Sequence, residues 1–125
     1  MAHTVMVVDD SEMVRLQVAR TLADVGFEVV EARDGVDALA RLSDEGFAPS
    51  LIMLDLNMPN MGGLDFLKAL RERTEHAALP VVMLTTEGHP TFMRQAKALG
   101  AKGWIVKPFK PELLIAAVQK LTQGA

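Results

Sequence analysis

Five polar residues of the sequence each end or follow a short apolar run: Asp9, Asp10, Asp55, Thr85 and Lys107. Three of them are carboxylates, which repel one another when held close together, and one lysine neutralises only one of them. Three neighbouring carboxylates therefore require a divalent cation. Because the chain has no cysteine and its 3 histidines are scattered, the ligands would be oxygen atoms. Oxygen ligands are the set that suits Mg²⁺.

Asp55 is the candidate nucleophile of this set. A carboxylate can accept a phosphoryl group to give an acyl phosphate, and Thr85 and Lys107 would hydrogen-bond and neutralise the phosphoryl oxygens. Phosphoryl transfer depends mainly on such positioning and charge neutralisation. Taken alone, Asp55 would equally well begin a turn. The residues after it are turn formers: Asn57, Pro59, Asn60, Gly62 and Gly63.

Five strand-helix pairs must position these side chains. Apolar runs predict strands at residues 4–8, 27–30, 51–54, 81–84 and 103–106. Ser11 and Asp34 are suited to cap the first two helices, and Pro90 and Pro111 to open the last two. The third helix is predicted at residues 64–73, and the charges from Arg71 to Glu75 indicate a solvated helix end.

Alternating strands and helices predict an α/β fold, a doubly wound five-stranded parallel sheet with five helices on its two faces. A flavodoxin-like strand order fits five strands, although the sequence itself does not fix that order. The carboxyl ends of parallel strands share one edge, where ligands bind in such folds. The five polar residues should therefore meet there.

Composition narrows the class of protein. The 125 residues suffice for one domain, residues 1–125, and no output domain is expected. A net charge of -3, from 13 basic and 16 acidic residues, argues against nucleic-acid binding. The apolar runs are too short to span a membrane, and the first residues lack the pattern of a signal peptide. We expect a cytoplasmic protein.

The residues at the strand ends also carry a family resemblance. They are Asp9-Asp10, Asp55 in DLNMPNMGG, Thr85 in LTT, and Lys107-Pro108-Phe109. With them the chain resembles response-regulator receiver domains over essentially its whole length, and in particular the stand-alone receivers of chemotaxis.

The resemblance implies roles for individual residues. Asp55 would be the phosphoacceptor, and Mg²⁺ would be bound by Asp10, Asp55 and the main-chain carbonyl of Asn57, with Asp9 helping through a water. Lys107 would pair with the phosphoryl group, and Thr85 would turn inward to hydrogen-bond it.

The same resemblance implies a cis Lys107–Pro108 bond, which is plausible because the second residue is proline. Asn57 and Glu87 would tune dephosphorylation. Trp104 would occupy the switch position that is usually Tyr or Phe, and we hypothesise that it shifts between two rotamers on phosphorylation. Two departures bear on this switch: Trp104 is larger than Tyr and lacks its hydroxyl, and Thr86 stands where a small residue is common.

The partners implied by the resemblance are proteins. A histidine kinase of the chemotaxis type would supply the phosphoryl group. A downstream target, such as the flagellar motor switch, would read the surface of the fourth helix, fifth strand and fifth helix near Trp104. A monomer is the default state for this type of protein.

The sequence is also compatible with other functions. A single-domain receiver also fits a phosphorelay, cell-cycle control or allosteric regulation of an enzyme. A Mg²⁺-dependent phosphohydrolase would use an aspartyl-phosphate too, but enzymes of the haloacid-dehalogenase type carry an acid two residues after the nucleophile, where this chain has Asn57. A flavodoxin-like binding module is disfavoured, because Asp9 and Asp10 would repel a phosphate in the absence of a metal ion.

Overall fold

The computed structural model describes residues 3–44, 46–86 and 90–122. Within these ranges five strands and five α-helices alternate, with one short 3₁₀ turn at Thr74–His76. The strands are β1 (Thr4–Val8), β2 (Glu28–Ala32), β3 (Leu51–Asp55), β4 (Val81–Thr85) and β5 (Gly103–Val106). The helices are α1 (Glu12–Ala23), α2 (Gly35–Leu42), α3 (Gly63–Glu72), α4 (Pro90–Ala98) and α5 (Pro111–Thr122).

All neighbouring strands are parallel, and their order is β2-β1-β3-β4-β5. This confirms the predicted doubly wound, flavodoxin-like class and supplies the strand order that the sequence does not fix. The predicted strand at residues 27–30 begins and ends slightly later, at Glu28–Ala32. No described helix combines the length and apolar character that a membrane span requires.

The core lies in two layers, one on each face of the sheet. Successive side chains of a strand point to opposite faces, so the apolar runs of β1, β3 and β4 fill both layers. One layer contains Met6, Ile52 and Met83 and packs against α2, α3 and α4. The other contains Met53 and Leu84 and packs against α1 and α5. Burial on both faces explains why these strands are continuously apolar rather than alternating.

The strand register determines what meets at the carboxyl edge. Val8 is paired with Leu54, and Asp55 with Leu84, so the residues that follow β1 lie beside the end of β3. Helices α1 and α2 begin at the same edge. Their predicted caps are confirmed, since Ser11 accepts from the Val14 N–H and Asp34 from the Asp37 N–H.

Arg71 corrects one sequence interpretation. Its guanidinium does not belong to a solvated helix end but donates to four main-chain carbonyls. The acceptors are Leu79 and Leu99 at 2.7 Å and His76 and Gly100 at 3.3 Å. Arg71 therefore ties the end of α3 to the segment before β4 and to the end of α4.

Candidate functional site

Three carboxylates meet at the carboxyl edge of the sheet. Asp9 and Asp10 follow β1, and Asp55 is the last residue of β3, the neighbouring strand. One oxygen atom from each carboxylate lies within 4.8 Å of those of the other two. Asp9 is fully buried and Asp55 is 5% exposed, whereas Asp10 is exposed. The structure thus brings together the acidic residues that the sequence analysis selected.

Lys107 joins this group from the end of β5. Its Nζ donates to Asp9 Oδ2 at 2.9 Å and to Asp55 Oδ1 at 3.2 Å. Its main-chain N–H donates to the carbonyl of Thr85 at 2.7 Å, which extends the pairing of β4 with β5. The following Lys107–Pro108 bond is cis, as the resemblance implied.

Hydrogen bonds hold both the side chain and the main chain of Asp9. Its second carboxylate oxygen, Oδ1, accepts from the Ser11 N–H at 2.9 Å. Its own N–H donates to Ala32 O at 3.0 Å, and its carbonyl accepts from Arg15 Nη1 at 2.7 Å. Asp9 is therefore a fixed anchor for Lys107, whereas the exposed Asp10 is open to solvent.

The surroundings of Asp55 disfavour the ionised form of its carboxyl group. Burial and the charge of Asp9 raise the pKa of Asp55 to about 6, although Lys107 partly offsets them. For Lys107, burial alone would lower the pKa, but the hydrogen bonds and charges of Asp9 and Asp55 outweigh it and raise the pKa above its ordinary value. Lys107 thus pairs with two of the three clustered carboxylates, and the cluster keeps an excess of negative charge.

This donor set fits Mg²⁺. The three clustered side chains offer hard oxygen ligands, and one of them is open to solvent, so water can complete the coordination. The excess of negative charge also makes the entry of a divalent cation favourable.

The loop after Asp55 folds back tightly on the end of β3. The Gly63 N–H donates to Leu56 O at 2.9 Å. A Cβ at Gly63 would collide with the carbonyl oxygen of Asp55 and lie 2.9 Å from Leu56 Cα. Gly63 is thus required by close approach of the main chain, which agrees with the tight turn predicted before α3. Asn57 is exposed within this loop.

The two predicted switch residues occupy neighbouring strands. Thr85 ends β4 and is 1% exposed. Trp104 lies in β5, paired with Met83, and packs partly buried against the core layer that contains Met83. Its indole Nε1 is buried and has no hydrogen-bond partner among residues 3–44, 46–86 and 90–122. Thr86 is exposed.

A groove of about 260 Å³ runs beside Trp104. Its wall combines apolar and basic residues of α4 and of the segment up to β5: Met93, Arg94, Lys97, Ala101, Lys102, Gly103 and Trp104. The groove gives the indole ring unfilled space on one side. Glu87, expected to tune dephosphorylation, lies outside the described residues.

Some residues around the site were not selected from the sequence. Arg15 and Ser11 hold Asp9, and Asn60 donates to Asp34 from the loop after Asp55. Ser11 and Asp34 were predicted only as helix caps, and Asn60 only as a turn former. The contacts of Ser11 and Arg15 with Asp9 are local in the chain, whereas the contact between Asn60 and Asp34 joins residues 26 positions apart and depends on which strands are neighbours.

The fold and the site define a class of protein, and comparison with known proteins agrees. The family model described as "Response regulator receiver domain" matches residues 5–119. The chain therefore belongs to the response-regulator receiver family.

Among the members of that family, the chain is similar to chemotaxis proteins. It is 39% identical over 110 residues to the chemotaxis protein CheY1 of Helicobacter pylori, covering 87% of this chain and 88% of that protein. It is 33% identical over 121 residues to the chemotaxis protein CheY of Bacillus subtilis, covering 96% and 98%. Among solved structures, the chemotaxis protein CheY4 of Vibrio cholerae has a TM-score of 0.89 at 43% identity, covering 97% of this chain and 99% of that one. The chain is thus a CheY-like signalling protein of two-component systems, not a classical enzyme.

Proposed function

We propose that Asp55 accepts a phosphoryl group from a histidine kinase and that the modified protein signals to a protein partner in chemotaxis. The observation that carries this proposal is the position of Lys107, whose Nζ lies 3.2 Å from Asp55 Oδ1 within a group of three carboxylates. The names of the relatives support chemotaxis as the pathway.

The chemistry is an in-line displacement at phosphorus. An Asp55 carboxylate oxygen attacks the phosphoryl group of a phosphohistidine, a P–O bond forms, and the P–N bond breaks with its electron pair left on the imidazole. Asp55 must be ionised for this attack, and a pKa of about 6 keeps it mostly ionised at neutral pH while burial weakens its solvation. Lys107 is placed to neutralise the phosphoryl oxygens, and Asp9 orients it.

Asp10, Asp55 and the main-chain carbonyl of Asn57 would hold Mg²⁺ at this edge, with Asp9 acting through a water. When bound there, Mg²⁺ supplies positive charge against the oxygens of the incoming phosphoryl group. Loss of the signal is hydrolysis: water attacks phosphorus, the bond to Asp55 breaks, and inorganic phosphate leaves. Asn57 and Glu87 would set the rate of this step.

The signal would leave through the surface formed by α4, β5 and α5. Phosphorylation would draw Thr85 toward the phosphoryl group, and Trp104 would change its population of rotamers beside the groove. Met93, Val106 and Leu113 are large apolar residues exposed on these elements, at 38%, 54% and 61%. With Lys97 and Lys102 nearby, the surface suits a target segment that is apolar and acidic, such as one on the flagellar motor switch.

The test is phosphorylation by a small phosphodonor. The protein is incubated with acetyl phosphate and Mg²⁺, and its intact mass is followed over time. We expect a gain of one phosphoryl group that needs Mg²⁺, decays slowly, and is absent from Asp55→Asn. Asp24→Asn is the matched control: Asp24 is exposed, lies at the opposite end of α1 from the acidic site, and its variant should be modified like the wild type.

Each outcome of this test decides between classes of protein. No Mg²⁺-dependent adduct in the wild type, or an equal adduct in Asp55→Asn, overturns the proposal. Continuous turnover of phosphomonoesters without a lasting adduct would instead indicate a phosphohydrolase. Transfer from the phosphoprotein to a histidine of another protein would favour a phosphorelay.

A further inference from the structure

The loop that follows Asp55 is tied to the start of α2. Asn60, in this loop, has a left-handed main-chain conformation with φ +65°. Its side-chain Nδ2 donates to Asp34 Oδ2 at 2.8 Å. Asp34 precedes α2 and is 4% exposed, so this hydrogen bond connects two segments 26 residues apart through a buried carboxylate.

Asp34 also caps α2 with its other oxygen. Asp34 Oδ1 accepts from the Asp37 N–H at 2.8 Å. The hydrogen bonds from Asp37 and Asn60 lower the pKa of Asp34, and the carboxylate stays ionised despite its burial. The Asp34 carboxylate thus connects the start of α2 with the loop beside the acidic site.

A second pair of residues adjoins the first. The Gly35 N–H donates to Met61 O at 3.3 Å. A Cβ at Gly35 would lie 2.7 Å from Met61 Cγ, so the Met61 side chain occupies the space that only a glycine leaves. Residues 60 and 61 of the loop are therefore held to residues 34 and 35 by both hydrogen bonding and packing.

These contacts bear on the acidic site because of where they fall in the loop. The loop leaves the sheet at Asp55 and returns at Gly63, where the main-chain contact with Leu56 fixes its end. Between these ends lies Asn57, which belongs to no helix or strand. Asn57 precedes Asn60 by three residues in the same loop, and Asn60 is hydrogen-bonded to a buried carboxylate.

We propose that Asp34 and Asn60 are positioning residues for the metal site, holding the main chain of Asn57 where its carbonyl can serve as a ligand. This inference rests on the proposed Mg²⁺ site and adds to it two residues outside the ligand set. Residues that orient metal ligands typically change metal affinity 10–100-fold when mutated.

The alternative is that Asp34 serves only as a helix cap. Variants that change the charge of residue 60 distinguish a positioning role from a role as helix cap alone. Asn60→Asp places two carboxylates where a hydrogen bond was, and their repulsion should displace the loop. A purely electrostatic effect of the added charge would tighten Mg²⁺ binding, whereas displacement of the loop should weaken it.

The experiment is isothermal titration calorimetry of metal-free protein with MgCl₂. We expect Asn60→Asp to weaken Mg²⁺ binding by on the order of tenfold. Asn60→Gly, which removes the hydrogen bond without adding charge and tolerates the left-handed main-chain conformation of this position, should weaken it by a smaller factor. The double variant Asp34→Asn/Asn60→Asp keeps the net charge and restores the hydrogen bond with donor and acceptor exchanged, so its affinity should return close to that of the wild type.

A structural control accompanies these variants. Val118→Ala truncates a fully buried side chain of α5, in the core layer on the face of the sheet opposite α2 and α3. The variant should be less stable to urea and should bind Mg²⁺ with unchanged affinity. This result would show that a lower stability of the fold does not by itself weaken Mg²⁺ binding.

The outcomes test the positioning role of Asp34 and Asn60 separately from the proposed Mg²⁺ site. If the wild type binds no Mg²⁺, the proposed function and this inference are both overturned. If the wild type binds Mg²⁺ but Asn60→Asp binds it equally or more tightly, only the positioning role is overturned. Failure of the double variant to recover affinity would also overturn it.

Discussion

Lys107 Nζ lies 3.2 Å from Asp55 Oδ1, although the two residues are 52 positions apart in the chain. The contact joins the ends of β3 and β5, which are separated in the sheet by β4. The same ammonium donates to Asp9, so one cation serves two buried carboxylates. The site is therefore ordered before a phosphoryl group arrives, and its three clustered carboxylates outnumber the one ammonium that contacts them.

Removal of Lys107 should cost stability as well as activity. In Lys107→Met, the carboxylates of Asp9 and Asp55 remain buried without their cation. We expect the free energy of unfolding of the metal-free protein to fall by roughly 3–5 kcal/mol, the range for breaking a buried ion pair. Urea denaturation measures this, with the exposed Lys120→Met as matched control. Equal midpoints for the two variants would show that Lys107 does not balance the buried charge.

The stability of the metal-free protein should depend on pH through Asp55. Its pKa is raised from 3.8 to about 6 in the folded state, so the folded state binds the proton more tightly than the unfolded state. The resulting stabilisation is fully present below pH 3.8 and is lost as pH rises through about 6. The difference amounts to at most about 3 kcal/mol.

Asp55→Asn isolates this contribution. It should be more stable than the wild type at about pH 8, and the difference should shrink or vanish at about pH 4.5. Urea denaturation in the presence of a chelator, at a series of pH values, measures both curves. Parallel curves for the two proteins would contradict the burial-driven shift of the pKa of Asp55.

The sequence predicted the fold and the acidic site well because both depend on local patterns. Apolar runs mark the strands, and the residues at their ends meet as soon as the strands are parallel. Arg71 shows where this reasoning fails, since its position among charged residues suggested solvent, but two of its four acceptors, Leu99 and Gly100, lie 28 and 29 residues further along the chain. The hydrogen bond from Asn60 to Asp34 was missed for the same reason.

Trp104 provides an optical test of the switch. It is the only tryptophan of the chain, so the intrinsic fluorescence reports on its ring alone. Because the indole borders open space and its Nε1 lacks a partner among the described residues, a new rotamer should change its surroundings. We expect the emission to change when Mg²⁺ and a beryllium fluoride phosphate mimic are added together. Asp55→Asn is the control and should show no such change; an unchanged wild-type spectrum would exclude the rotamer shift.

Phosphorylation of Asp55 is tested most directly by locating the phosphoryl group on the chain. Borohydride reduces an acyl phosphate to an alcohol, which converts a phosphorylated aspartate to homoserine and leaves free carboxylates unchanged. After treatment with acetyl phosphate and Mg²⁺, reduction and proteolysis, peptide mass spectrometry should find homoserine at position 55. Homoserine at position 9 or 10 instead, or no homoserine in a protein that had gained the phosphoryl mass, would contradict Asp55 as the acceptor.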